Sequence, residues 1–202
     1  MRKPMQEWAR EIYQTAKAHG WHDGGERSVS AYACLMASEL SEALEEFRAG
    51  RPMVYGDDIE EEKRIEDMDA IRALGCKPEG IAVEMLDCVI RILDYAMATW
   101  GEQGPHSDPD EWADFAQDIR QYHGTKLTEM PLEETIALGH WYISHAWEQA
   151  TRAGQLRVYD LEDLASLLIA WVQAHGVDAE AVMELKHQYN KTRSYRHGGK
   201  LL

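Results

Sequence analysis

Apolar residues recur at spacings of three and four in at least five separate stretches of the chain, while strict alternation over five or more residues is hard to find. The first pattern lines one face of a helix; the second is what a half-buried strand requires. The spacing therefore predicts an all-α chain. Helices are expected over residues 4–19, 28–49, 79–100, 131–153 and 160–175, with a shorter one near 178–189 and a further one around 108–122. Gly20, Gly50, Gly101, Gly154 and Gly176 each follow a periodic segment, where a left-handed C-cap favours a residue without Cβ. Ser28, Asp108, Asp160 and Asp178 stand where N-caps are needed.

With 202 residues the chain is long enough to bury a substantial core. Its 21 Lys and Arg stand against 36 Asp and Glu, a net charge of −15 that would repel a nucleic-acid backbone. A DNA or RNA polymer is thus not an expected partner. The most apolar window, LASLLIAWV at residues 164–172, is less than half the ~20 residues that span a bilayer, so no membrane partner is expected. The start, MRKPMQEWAREIYQ, has no apolar signal-peptide core. Cys34, Cys76 and Cys88 are three in number and form no CxxC pair. Free thiols in a reducing compartment, by default the cytoplasm, are the expectation.

Residues 51–77 carry a dense charge run and are expected to form a solvated insertion or surface helix; residues 101–109, GEQGPHSDP, are the best linker candidate. The two halves also echo one another. EALEEFRAGR at 42–51 matches AWEQATRAGQ at 146–155, and VEMLDCVIRIL at 83–93 matches LEDLASLLIAW at 161–171. This predicts a duplicated helical hairpin, whose second copy puts Ile143, Ala146, Glu162 and Ala165 where the first has Glu39, Glu42, Glu84 and Asp87.

Those four acids are the chemical feature of the first copy. Glu39 and Glu42 are three apart on one helix, beside an apolar stripe of Met36, Leu40, Ala43, Leu44 and Phe47; Glu45 points away from it. Glu84 and Asp87 repeat the device on a far more apolar helix, with Asp94 on the same line. Carboxylates brought near a core need positive compensation. Antiparallel neighbouring helices would let the two pairs converge on a hard, oxygen-seeking cation such as Mg²⁺. The C-terminal run KHQYNKTRSYRHGGK, residues 186–200, holds five Lys or Arg and no acid, and reads as a local anion site.

The set Glu39xxGlu42, Glu84xxAsp87 and the basic ending resembles the MazG-like branch of the all-α nucleoside triphosphate pyrophosphohydrolases, with GWHD at residues 20–23 similar to the family's aromatic-acid segment. The match covers residues 20–100 and the last ~20 residues. Two features depart from the family's pattern: a spacer of 41 residues between Glu42 and Glu84, and an extra segment over residues 102–178. The resemblance implies a helical bundle of the all-α pyrophosphatase type. Residues 1–104 would be the catalytic unit, with the acidic insertion at 51–77. Residues 105–202 would be a degenerate second unit ending in the basic tail, packed with the first as one compact domain.

The resemblance further implies that Glu39, Glu42, Glu84 and Asp87 bind Mg²⁺, with Mn²⁺ as a substitute, and that water splits a nucleoside triphosphate into monophosphate and pyrophosphate, a house-cleaning role. Glu39 and Glu42 would be catalytic, Glu39 foremost as the base. Lys186, Asn190, Arg193 and Lys200 would clamp phosphates, with Arg196 and His197 nearby, and Trp21 would stack on the base. A homodimer is left open. A dUTP- or dCTP-restricted enzyme of the same fold and a non-catalytic nucleotide-binding helical protein are the competing readings.

Overall fold

The structure is a computed structural model that describes residues 3–25, 27–58, 63–101, 126–153 and 158–199. It is mostly helical, with a small three-stranded sheet. In chain order the elements are α1 (Met5–Ala18), α2 (Val29–Arg48), β1 (Tyr55–Asp58), β2 (Lys63–Ile65), α3 (Met68–Leu74), β3 (Pro78–Glu79), α4 (Ile81–Trp100), a 3₁₀ turn (Leu127–Glu129), α5 (Leu132–Ala153), α6 (Val158–Ala174), α7 (Ala179–Thr192) and a closing turn at Arg196–Gly199. The helix expected around 108–122, most of the 101–109 linker, Gly154 and Lys200 lie outside the described residues.

Local signals set the starts of α2 and α7. Ser28 Oγ accepts from the Ala31 N–H at 3.2 Å, and Asp178 Oδ1 from the Ala181 N–H at 3.0 Å, each satisfying a backbone donor in the first turn. Asp160 is not an N-cap, because α6 starts earlier, at Val158, and places Asp160 within its first turn.

The spine of the bundle is α4. It is buried along almost its whole length and packs against α1, α2, α6 and α7, while α5 lies across α2 and α6. Met36 and Leu40 from α2, Met85, Leu86 and Leu93 from α4, and Leu164 and Leu168 from α6 have essentially no exposure. Each such side chain contributes about 1.5–3 kcal/mol through burial. At the end of α2 the expected stripe runs out, and Phe47 is 49 % exposed.

The 51–77 segment differs from the expected solvated insertion. It folds as an antiparallel sheet of order β2-β1-β3, with Gly56 opposite Ile65 and Pro78, followed by α3 between β2 and β3. Val54, Tyr55 and Ile71 are buried, so the segment feeds the core. It also starts α4. The Ile81 and Ala82 N–H groups donate to the Pro52 and Met53 carbonyls at 3.3 and 2.9 Å, replacing a side-chain cap.

Gly80 makes that contact possible. Its φ of +116° is disfavoured for L side chains, and a Cβ would sit 2.7 Å from both carbonyl oxygens. Gly80→Ala is expected to lower stability by about 2–3 kcal/mol, since backbone rather than a movable side chain blocks it. Chemical denaturation measures this, and a cost below ~0.5 kcal/mol would contradict the packing.

Candidate functional site

The site grows from the way α4 is buried. Glu84, Asp87, Arg91 and Asp94 follow one another at spacings of three, four and three, which keeps them on one line of the helix. Because neighbours surround α4, that line faces other helices rather than water. Glu84 is 5 % exposed and Asp87 6 %. From α2, Glu39 enters the same region, also 5 % exposed, whereas Glu42, one turn on, is at the surface. One carboxylate oxygen each from Glu39, Glu42 and Glu84 lies within 4.8 Å of the others.

Two cations meet these acids. Arg91 Nε donates to Glu39 Oε1 at 3.1 Å. From α7, Lys186 Nζ lies 3.1 Å from Asp87 Oδ2 and 3.7 Å from Glu84 Oε2. Asp87 Oδ1 is buried and has no hydrogen-bond partner.

The electrostatics follow from burial and these partners. Desolvation, then the Asp87 charge, pushes the Glu39 carboxyl up to about 8 against the pull of Arg91. Desolvation raises Glu84 to about 7 despite Lys186. Burial works to raise Asp87 too, but Lys186, Arg91 and Arg193 outweigh it and hold that carboxyl below its usual range. Burial likewise opposes the Lys186 ammonium, and Asp87, Glu84 and Glu39 overcome it, raising its pKa.

These shifts set a pH dependence. Below pH 4.5, the usual glutamate value, Glu39 and Glu84 are protonated folded or unfolded. Between 4.5 and about 8 for Glu39, and 4.5 and about 7 for Glu84, the unfolded chain releases protons that the folded chain keeps. Their contribution to stability is therefore lost as pH rises through that window. Asp87 acts oppositely, with a loss of stability only as pH falls below 3.8. The thermal midpoint of metal-free protein is expected to decline from about pH 5 to about pH 8, and Glu39→Gln to flatten the decline. A pH series of melting curves on both proteins checks this.

Beside Asp87 a small cleft runs between α1, α4, α7 and the closing turn. Ile12, Ala16 and Ile90 form apolar walls; Asp87, Arg91, Trp21, Asn190 and His197 also line it. The Trp21 ring meets His197 edge-on at 4.9 Å, and the Arg27 guanidinium lies 5.1 Å from Trp21. Asn190 Oδ1 and His187 Nε2, both from residues lining the cleft, are buried without a partner. Burial pushes His187 down to about 4, which leaves its imidazole neutral at pH 7.

The closing turn is fastened to the loop after α1. The Arg196 N–H donates to His19 O at 3.0 Å, its Nε to Gly20 O at 3.0 Å, and Nη2 to Asp23 O at 2.5 Å. Tyr195 Oη donates to Asp23 Oδ2 at 2.8 Å, and its ring lies over Gly20, where a Cβ would come within 2.0 Å. That loop presents Trp21 and also His22, whose Nε2 is 2.8 Å from Asp94 Oδ1.

Of the residues singled out from sequence, Glu39, Glu42 and Glu84 converge, and Asp87 joins them through Lys186. Trp21, Asn190 and His197 share the cleft. Arg193, beyond the end of α7, is close enough to influence Asp87 and Glu39, and its guanidinium lies 6.0 Å from the Tyr189 ring. Lys186 sits on carboxylates, and Arg196 grips loop carbonyls. Sequence reasoning missed Arg91, His187 and the partnering of His22 with Asp94. For Arg91 the signal was present: it fills the gap in the three-four-three line from Glu84 to Asp94.

The donors fit a hard divalent cation. All are carboxylate oxygens, three are grouped already, and Asp87 offers an oxygen that is desolvated and unpartnered. Cys34, Cys76 and Cys88 are free thiols, and no described helix is long and apolar enough to cross a membrane. No protein-family model, curated protein or solved structure matches the chain.

Proposed function

We propose that the chain is a divalent-metal-dependent nucleoside triphosphate pyrophosphohydrolase of the MazG-like all-α type. The observation that carries this is the meeting of Glu39, Glu42 and Glu84 within 4.8 Å, together with Asp87, which has an unpartnered buried oxygen, shares Lys186 with Glu84 and lines a cleft. In this reading those four residues hold Mg²⁺ or Mn²⁺. Such an ion supplies charge neutralisation and orientation of the attacking and leaving oxygens.

The protein's own groups do the rest. Glu39, in its ionised form, accepts the proton of the attacking water. The base lies between Trp21 and the apolar walls, where Asn190 Oδ1 and His187 Nε2 present buried polar atoms that its edge would satisfy. Arg193, Lys186 and Lys200 serve the phosphates. Water adds to the α-phosphorus, the bond to the β-phosphate oxygen breaks, and monophosphate and pyrophosphate leave.

The duplicated hairpin belongs to the same reading. α5 lies on α2 and α6 on α4, as two copies of one hairpin would pack. Ile143, Ala146 and Ala165, which replace Glu39, Glu42 and Asp87 in the second copy, are buried apolar side chains. The second copy thus covers the first and holds no ion.

Incubation with a panel of ribo- and deoxyribonucleoside triphosphates and Mg²⁺, with products resolved by chromatography, tests the proposal. Monophosphate with pyrophosphate supports it and reveals base preference. Diphosphate with orthophosphate indicates a different phosphatase chemistry, and binding without product indicates a nucleotide-binding protein instead.

A further inference from the structure

Glu39, Glu42, Glu84 and Asp87 carry four negative charges when ionised, and the cations among them, Arg91 and Lys186, carry two. The two cations are held differently. Arg91 belongs to α4 and donates to Glu39 across to α2. Lys186 reaches in from α7 on a flexible four-carbon stem, and its ammonium covers Asp87 and Glu84, two of the carboxylates assigned above to the ion. An ammonium bonded to Asp87 Oδ2 occupies lone pairs that a divalent ion would use at closer range. Ammonium and dication would also repel each other strongly inside a desolvated pocket.

We propose that Lys186 is a placeholder cation: in the metal-free protein its ammonium takes part of the space and charge meant for the divalent ion, and it must leave Asp87 when that ion binds. This rests on the metal-binding part of the function proposed above. The carboxylate is prepared for the exchange, because Oδ1 is already buried and free of any donor while Lys186 holds Oδ2. The release has a direction as well. Asp87 itself lines the cleft, so an ammonium that leaves it lies beside the space a nucleotide would occupy. Ion binding thereby delivers a phosphate-binding group that is otherwise sequestered.

The test is Mn²⁺ binding to nucleotide-free protein, followed by calorimetry. Lys186→Gln is expected to bind Mn²⁺ about ten-fold more tightly than wild type, because the competing charge is gone. Equal or weaker binding by the variant overturns the proposal. A second measurement needs no variant: reductive methylation of wild-type protein, read by peptide mass spectrometry. Lys186 is expected to be protected without metal and to become reactive as Mg²⁺ saturates the site; protection that persists at saturation overturns the exchange. Neither readout depends on turnover. Release of Lys186 in a protein that cleaves no triphosphate would sink the hydrolase reading and uphold this one; hydrolysis with Lys186 still protected would do the reverse.

Discussion

Glu42→Gln is expected to reduce kcat/KM for triphosphate hydrolysis by about 10²–10³-fold, with helical content and unfolding free energy unchanged within ~0.5 kcal/mol. The separation of activity from stability is the informative part. Glu42 is exposed, so replacing its charge with an isosteric amide leaves no buried group unpaired. It nonetheless presents an oxygen within 4.8 Å of Glu39 and Glu84, and an amide is a far poorer ligand for a hard cation. Asp87→Asn is less clean, because it strips Lys186 of its nearest carboxylate inside the core and mixes folding with function. Steady-state kinetics with a melting curve decide the matter. A Glu42→Gln protein with wild-type turnover would remove the proposed centre.

Arg91→Met should produce the largest stability loss of any single change at the site, about 3–5 kcal/mol above pH 8, where Glu39 is ionised. Its Nε donates to Glu39, whose side chain is only 6 % exposed, and its charge also acts on Asp87 and Asp94. Methionine fills similar volume, so the loss reports the stranded carboxylates rather than a cavity. Two controls identify the cause. The loss should be largest above about pH 8, where Glu39 is ionised, and should shrink below that value as Glu39 binds a proton, and Glu39→Gln in the same protein should recover much of the high-pH loss. Urea titrations of the two single variants and the double variant give the coupling directly. Additive effects would show that Arg91 acts by packing alone.

Helix positions were legible because their determinants are local. The three-and-four spacing of apolar residues located α1, α2, α4, α5, α6 and α7, and Ser28 and Asp178 cap in structure as they read in sequence. The sheet was not legible. Its strands are four, three and two residues long, too short for a period of two to register, and they alternate with charges that satisfy a solvated-surface reading equally well. The role of Pro52 and Met53 carbonyls in starting α4 leaves no side-chain trace at all; only Gly80 hints at it.

The acid pairs divide along the same boundary. That Glu39 and Glu42 share a helix face, and Glu84 and Asp87 another, follows from 3.6 residues per turn and needs no tertiary information. Lys186 looked like part of a basic surface tail, yet it is buried a hundred residues away in sequence from the carboxylates it meets. Arg196, with the same apparent chemistry, instead ties the closing turn to the loop that carries Trp21.

What the sequence by itself determined is the set of helices, their apolar faces and the carboxylates beside those faces, because each depends on contacts within one or two turns. Which cation meets which carboxylate, how deeply each is buried, and that the 51–77 segment supports α4 were decided by tertiary packing alone. The reason is dielectric and geometric. A charge has no fixed pKa, partner or cost until the fold excludes water from it, and that exclusion is a property of several helices together.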